Sequence, residues 1–467
     1  MRTPHVSRAL IGASLVVALG AVGLPAQAHD EEGLDNDAES GALEVEVRPS
    51  LVAVGEQVTI AAEYELDEDD EDDESEDDAT DDDTTPTETA PAAPVVTFTV
   101  DFGDHSEVQA MTADDGEDGE EVEATATHAY AADGTYTVAV TATPTAGTPT
   151  TVTVAVQVGG GVAQLAGDDR HETAERISRE DFPNDGDAGA VLLARSDSFA
   201  DALAASSVAV FEDAPVLLTT SAQLPASVLD EISRALGATG TVYLLGGEAA
   251  ISPQVETALE ALGYTVVRIA GDDRIATSLA LAQFLVDAGV EVDEVVLASA
   301  ANFPDALAAA AYAGGAEAPV LLTGPDGLDQ RVAEFLTALG DVEVHVAGGP
   351  AAVSDKVLAD LVALGLEVER LSGDDRYETA VELAEALYVG PTKVVLATGA
   401  DFPDALAGAA MASRDGAPVL LVGDTLPDSV REYLQDNAAT ITEVYVLGGD
   451  AAVPHAVLAE VRALLGL

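Results

Sequence analysis

Residues 373–422 read GDDRYETAVELAEALYVGPTKVVLATGADFPDALAGAAMASRDGAPVLLV, and the phrases in this stretch recur through the C-terminal two-thirds of the chain. Gly-Asp-Asp-Arg stands at Gly167–Arg170, Gly271–Arg274 and Gly373–Arg376. Phe-x-Asp-Ala-Leu-Ala follows at Phe199–Ala204, Phe303–Ala308 and Phe402–Ala407, and Ala-Pro-Val-Leu-Leu at Ala214–Leu218, Ala318–Leu322 and Ala417–Leu421. A strand-like run ending in Gly-Gly closes each set at Gly246-Gly247, Gly348-Gly349 and Gly448-Gly449. The same phrases in the same order, three times, mark tandem copies of one structural unit.

Within the first copy, Ala190–Ala194 is a continuous apolar run, the pattern of a strand buried on both faces. Ser196 or Asp197 is placed to cap a helix carrying Phe199, Leu203 and Val210 at helical spacing. Pro215–Leu218 reads as a second, central strand, and Pro225 opens another helix, where its missing N–H costs nothing. Val242–Leu245 is a third strand, Ser252-Pro253 starts the next helix, and Val266–Ala270 leads into the second Gly-Asp-Asp-Arg. Alternating strand and helix predicts α/β repeats with parallel sheets joined by crossovers.

The region before the repeats has another texture. Leu43–Val47, Gln57–Leu66, Val95–Asp101, Val122–Tyr130, Thr135–Ala142 and Thr150–Val158 are rich in Thr and Val with period-two alternation, which predicts an all-β sandwich. An insertion over residues 67–93, acidic up to Asp83 and then rich in Thr, Pro and Ala, cannot bury a core and reads as a disordered loop. Gly159-Gly160-Gly161 reads as the hinge to the repeats. Residues 1–28 have the form of an export signal: Arg2 and Arg8, an apolar run from Ala9 to Leu24, then Ala26-Gln27-Ala28. No sorting tail is recognisable at Gly466-Leu467, so retention at a surface is expected to be non-covalent.

Composition narrows the function. A formal net charge of −68, with Lys356 and Lys393 the only lysines, repels nucleic acid and anionic membranes as partners. Such acidity suits a saline exterior, where salt screens self-repulsion. The absence of cysteine removes disulfides, thiolate metal sites and cysteine nucleophiles, and the seven histidines show no metal-ligand spacing, so neither metal nor cofactor is expected.

The three repeats resemble cell wall binding repeat 2, a family of surface proteins of Gram-positive bacteria and some archaea. The likeness rests on Gly-x-x-Arg-x-x-Thr-Ala at Gly167–Ala174 and Gly373–Ala380, the Asp-Ala-Leu and Pro-Val-Leu-Leu phrases, and Gly-Gly after a strand. The second copy departs with Ile275-Ala276-Thr277-Ser278, and the first has Ala200 in place of Pro304 and Pro403. The resemblance implies three repeats, at 162–262, 263–366 and 367–467, packed on each other as a pseudo-trimer and binding an anionic wall polysaccharide. It also implies that the strand phrase matters for that binding: Pro215, Leu217 and Leu218; Pro319, Leu321 and Leu322; Pro418, Leu420 and Leu421. The β-region, 42–158, resembles the polycystic-kidney-disease repeat, an immunoglobulin-like sandwich, through Asp101-Phe102-Gly103-Asp104, His128-Ala129-Tyr130 and Gly134–Val138, with Val100 where a Trp is usual.

Arg170, Arg274 and Arg376 are the cations to weigh as polymer contacts, because a guanidinium grips phosphate or carboxylate with a fork of N–H donors. Each could instead pair with its own aspartates (Asp168/Asp169, Asp272/Asp273, Asp374/Asp375) or cap strand ends at a repeat interface. Asp201, Asp305 and Asp404, in first helical turns, suit the helix dipole, and no catalytic partner recurs beside them. The expectation is a non-enzymatic, secreted protein of the cell wall surface. The alternatives are an S-layer-like or adhesion protein, and an enzyme of wall metabolism or its modifier.

Overall fold

The computed structural model describes residues 43–49, 51–52, 54, 57–65, 96–115, 121–132, 134–145, 148–198 and 201–467. The export segment 1–28 and the acidic insertion 67–93 lie outside the described residues. The chain divides into two compact units, one holding Gly159–Leu467 and the other most of Leu43–Val158.

The smaller unit consists of antiparallel sheets. One orders Leu43–Arg48, Gln57–Glu65, Glu121–Ala129 and Thr112–Asp115 side by side. Another runs from Thr150–Val158 through Gly134–Pro144 and Val96–Asp101 to the two-residue Gln109–Ala110. Period-two patterning sets the faces: Val96, Phe98 and Val100 are buried while Thr97, Thr99 and Asp101 are exposed. The phrases singled out here gather in one place. Phe102 stacks on His128 at 4.2 Å, Tyr130 donates its hydroxyl to Phe102 O at 3.1 Å, and Tyr130 stacks on Tyr136 at 4.2 Å. His128 Nε2 meets Asp104 Oδ2 at 2.7 Å. Gly103 is obligatory: its φ is +75°, and a Cβ there would lie 2.3 Å from Thr137 O.

The larger unit holds three parallel four-stranded sheets. The first orders Val216–Thr219, Ala190–Arg195, Thr241–Leu245 and Thr265–Ile269. The second orders Val320–Thr323, Glu294–Ser299, Glu343–Ala347 and Glu367–Leu371. The third orders Val419–Val422, Lys393–Thr398 and Glu443–Leu447, and its fourth strand is Gly161–Leu165 from the start of the unit. The sheets therefore cross the limits read from the repeats: Thr265–Ile269 completes the first sheet, Glu367–Leu371 the second, and the first copy's leading strand the third. Gly161 already belongs to a strand, so it is not part of a hinge.

Two further readings are corrected. The Pro-Val-Leu-Leu strand is an edge strand, paired on one side only. It is nonetheless fully buried, because helices cover it, including Pro403–Asp415 over the first sheet's edge and Pro304–Gly315 over the third's. The helix expected after Ser196 or Asp197 begins only at Ser206; Asp197 pairs with Arg195 instead. In the other copies the corresponding helices start at Pro304 and Pro403, whose fixed φ suits the first helical position.

These three helices, Ser206–Phe211, Pro304–Gly315 and Pro403–Asp415, pack on one another at the centre of the unit. Their facing residues are mostly alanine, which lets backbones approach closely. Hydroxyls then reach carbonyls of the neighbouring repeat: Ser206 Oγ donates to Ala310 O at 2.7 Å, and Ser207 Oγ to Ala318 O at 2.6 Å. The result is one core shared by three repeats, flanked by a smaller apolar layer on the outer face of each sheet.

Candidate functional site

Each sheet starts at an inner strand, adds the Pro-Val-Leu-Leu strand on one side and then crosses to the other. In such sheets the crevice outside the carboxyl ends of the first and third strands is where ligands bind. The recurring phrases converge there.

Gly-Asp-Asp-Arg is a helix start built residue by residue. The second aspartate caps: Asp169 accepts the N–H groups of His171 and Glu172, Asp273 that of Ala276, and Asp375 those of Tyr377 and Glu378. The glycine is required by space, since a Cβ on Gly167, Gly271 or Gly373 would lie 2.2, 2.3 or 2.1 Å from the Cβ of Glu172, Ala276 or Glu378. Its N–H donates to the threonine hydroxyl six residues on, Thr173, Thr277 or Thr379, at 3.2, 3.1 and 3.2 Å. The arginine is the first helical residue. Arg170 donates to Ser196 O at 2.7 Å, Arg274 to Ala300 O at 2.7 Å, and Arg376 to Gly399 O. Each guanidinium thus holds the carbonyl just past the first strand of its own sheet. The second aspartate caps the helix and remains open to other donors: Asp273 also accepts from Arg331 at 3.0 Å.

The Asp-Ala-Leu aspartate meets the Gly-Gly turn of its own repeat. A Cβ on Gly246, Gly348 or Gly448 would lie 2.6, 2.4 or 2.4 Å from an oxygen of Asp201, Asp305 or Asp404. The next repeat then completes the cleft. Asp201 Oδ1 accepts the hydroxyl of Thr277 at 2.8 Å. Burial raises the Asp305 carboxyl above its ordinary range, and the charge of Arg376 pulls it back down. Burial raises Asp404 to about 6, the neighbouring Asp401 adds to the rise, and Arg170 opposes it. Arg170 reaches Asp401 itself at 3.4 Å. The order is cyclic: the aspartate of one repeat faces the Gly-Asp-Asp-Arg helix of the next, through Thr277 at the first junction, Arg376 at the second and Arg170 where the third repeat meets the first.

Chemically, each cleft offers a partly exposed guanidinium at a helix start beside a carboxylate. That is a frame for an anionic group next to hydroxyls: the guanidinium takes the anion, and the aspartate accepts from a hydroxyl as Asp201 does from Thr277. The structure brings Arg170, Arg274 and Arg376 to these clefts. It does not bring the strand phrase. Pro215, Leu217, Leu218, Pro319, Leu321, Leu322, Pro418, Leu420 and Leu421 are all buried, and none offers a surface to a polymer. Their place in the fold is to fix the strand end and the loop after it. Sequence reasoning treated the aspartate and Gly-Gly phrases separately and passed over Asp401; the signal for the first was their constant order in every copy.

Three segments, 164–256, 268–358 and 370–458, match the family model described as cell wall binding domain 2. The chain is 26% identical over 302 residues to an N-acetylmuramoyl-L-alanine amidase, LytC, of Bacillus subtilis, covering 64% of this chain and 58% of the amidase. It is 30% identical over 277 residues to a Bacillus subtilis protein named amidase enhancer, covering 59% of this chain and 37% of that protein. Among solved structures, Cwp8 from Clostridium difficile superposes with a TM-score of 0.62 at 20% identity, covering 89% of both chains. Cwp6 from the same organism gives a TM-score of 0.61 at 20% identity, over 90% of this chain and 68% of its own. These two establish likeness of fold.

Proposed function

From the premise that this chain belongs to the cell wall binding domain 2 family, we propose that it is an exported surface protein held non-covalently to an anionic wall polysaccharide by its three repeats. The observation that carries the reading is a cleft repeated at the three junctions: Arg376 faces Asp305, Arg170 faces Asp401 and Asp404, and the helix begun by Arg274 meets Asp201 through Thr277. Three weak sites on one polymer gain by avidity, since each engaged cleft raises the effective concentration of polymer at the next. Among the described residues no helix is long and apolar enough to cross a membrane, so retention by wall binding fits the chain as described.

In this reading the β-region, like a polycystic-kidney-disease or immunoglobulin-like module, serves as spacer or interaction surface, and the chain is not itself an enzyme. A second reading has one support. The two curated relatives are named an amidase and an amidase enhancer, and their match to this chain leaves much of each relative uncovered. A role beside wall hydrolysis, as modifier rather than catalyst, follows if the β-region engages such an enzyme.

The test is co-sedimentation of the full chain with purified walls, before and after chemical removal of their anionic polymers. Pelleting should fall at least tenfold on removal and weaken with added salt. Equal pelleting before and after would defeat the proposal. Arg→Lys at positions 170, 274 and 376 together keeps the charge and loses the fork, and should weaken retention while circular dichroism stays unchanged.

A further inference from the structure

The inner face of the second sheet, the one that meets the central helices, carries at its edge a cluster that neither other sheet repeats. Glu343 and His345 are two apart on one strand and so share a face, and Glu369 pairs with His345 from the neighbouring strand. One ligand atom from each of Glu343, His345 and Glu369 lies within 4.8 Å of the others. The His345 side chain is only 6% exposed, while Glu343 and Glu369 are 46% and 54% exposed.

The two ring nitrogens of His345 are in different situations. Nε2 lies 3.1 Å from Glu294 Oε2, and that same oxygen accepts the hydroxyl of Tyr312 at 2.7 Å. A carboxylate can only accept, so Nε2 carries the proton. Nδ1 has no hydrogen-bond partner although it is buried; Glu369 Oε2 stands 3.4 Å away without making one. Glu343 Oε1 stands 4.0 Å from Nε2, on the other side of the ring edge, and a bare Nδ1 lone pair facing the Glu369 carboxylate is unfavourable until a cation enters between them. In the first sheet the positions of His345 and Glu369 are Tyr243 and Val267, and in the third they are Tyr445 and Ala163. The cluster is therefore no requirement of the repeat fold.

We propose that Glu343, His345 and Glu369 form a site for a divalent transition-metal ion of the zinc class, with His345 Nδ1 as the nitrogen ligand. Glu294 orients the ring through Nε2–H, the carboxylate–histidine arrangement that supports metal-bound imidazoles, and Tyr312 holds Glu294 in turn. Imidazole beside carboxylates favours zinc, cobalt or nickel over calcium or magnesium. The two half-exposed glutamates are free to close on the ion. No spacing along the chain points to this cluster, because its donors are joined across a sheet rather than along a helix.

The test is calorimetric titration of the full chain with Zn²⁺ in excess Mg²⁺, which occupies the general acidic surface. One tight equivalent is expected. His345→Tyr, the residue both other sheets use, should weaken it about 100-fold, and Glu294→Gln about 10-fold. Glu369→Gln alters only an exposed side chain and serves if the histidine variant misfolds; it too should lose the tight phase. Nitrogen-15 spectra of the histidine rings should show Nδ1 of His345 shifting with Zn²⁺ while Nε2 stays protonated. No tight phase in the native chain, or a tight phase unchanged in both His345→Tyr and Glu369→Gln, would overturn the site.

Discussion

The junction between the first and second repeats and the junction between the third and first look alike in outline and are held by different means. At the first, small hydroxyls bridge the repeats: Thr277 donates to Asp201, Ser206 to Ala310 O and Ser207 to Ala318 O. At the second, charge and backbone take over. Arg414 pairs with Asp181, donates to Ala209 O at 3.2 Å and Ala214 O at 3.3 Å, and lies over the Phe182 ring at 4.6 Å. Arg170 reaches Asp401, and the strand Gly161–Leu165 zips along Glu443–Leu447. The difference has a physical source. The first junction is continuous in the chain, whereas the second must close a loop of three whole repeats, and that entropy is repaid only by non-covalent contacts.

Removing the closing clamp should have the largest effect. Arg414→Met leaves Asp181 partly buried, with no guanidinium to neutralise it, and frees the Ala209 and Ala214 carbonyls. A loss of about 3 kcal/mol is expected, read by urea unfolding. The position aligns with Gly315 and Phe211 in the other repeats, so no equivalent substitution exists at the first junction. A loss below about 1 kcal/mol would show that the strand alone closes the ring.

Next in size is a pH effect that is largest in the third cleft. Asp404 is raised from 3.8 to about 6. Below pH 4 both folded and unfolded chains keep the proton, and the folded site bears no penalty. Between pH 4 and 6 the unfolded chain releases the proton that the folded chain still holds, so stability falls across that window, and above 6 both are ionised and the loss is complete. Asp404→Asn should therefore stabilise the protein by about 2 kcal/mol at pH 7.5 and by almost nothing at pH 4. Unfolding curves for both chains at the two pH values decide it, and an equal difference at both would remove the titration from the explanation.

Much of this was legible beforehand, and the limits are instructive. The strands of the first sheet and their alternation with helices followed from apolar runs and glycine stops, because a strand buried on both faces must be continuously apolar. What the pattern could not give was pairing. The Val216–Thr219 strand is as apolar as a central strand, yet it is an edge, since helices from another repeat do the covering. The same blindness to partners hid the clefts: Asp404 and Arg170 are 234 residues apart in sequence and become neighbours only when the ring closes. It also hid His345, whose donors come from two adjacent strands. The arginines were visible as isolated cations in an acidic chain, but their grip on strand-end carbonyls was not.

The smallest effect probes the first junction itself. Thr277 is fully buried, and its hydroxyl is the donor to Asp201. Thr277→Val keeps the shape and removes that donor, leaving a carboxylate oxygen short of a partner at a cost of about 1 kcal/mol. At the third junction the corresponding hydroxyl, Thr173, donates to Asp169 O at 3.0 Å, the cap bond that Thr277 also makes to Asp273 O at 3.2 Å, and Asp404 has Arg170 as its nearby charge. Thr173→Val should therefore cost a local capping bond and leave the pH dependence of the third cleft untouched. If the two valine variants instead shifted stability and pH profile alike, the junctions would be equivalent after all, and the contrast between hydroxyl-held and charge-held closure would fall.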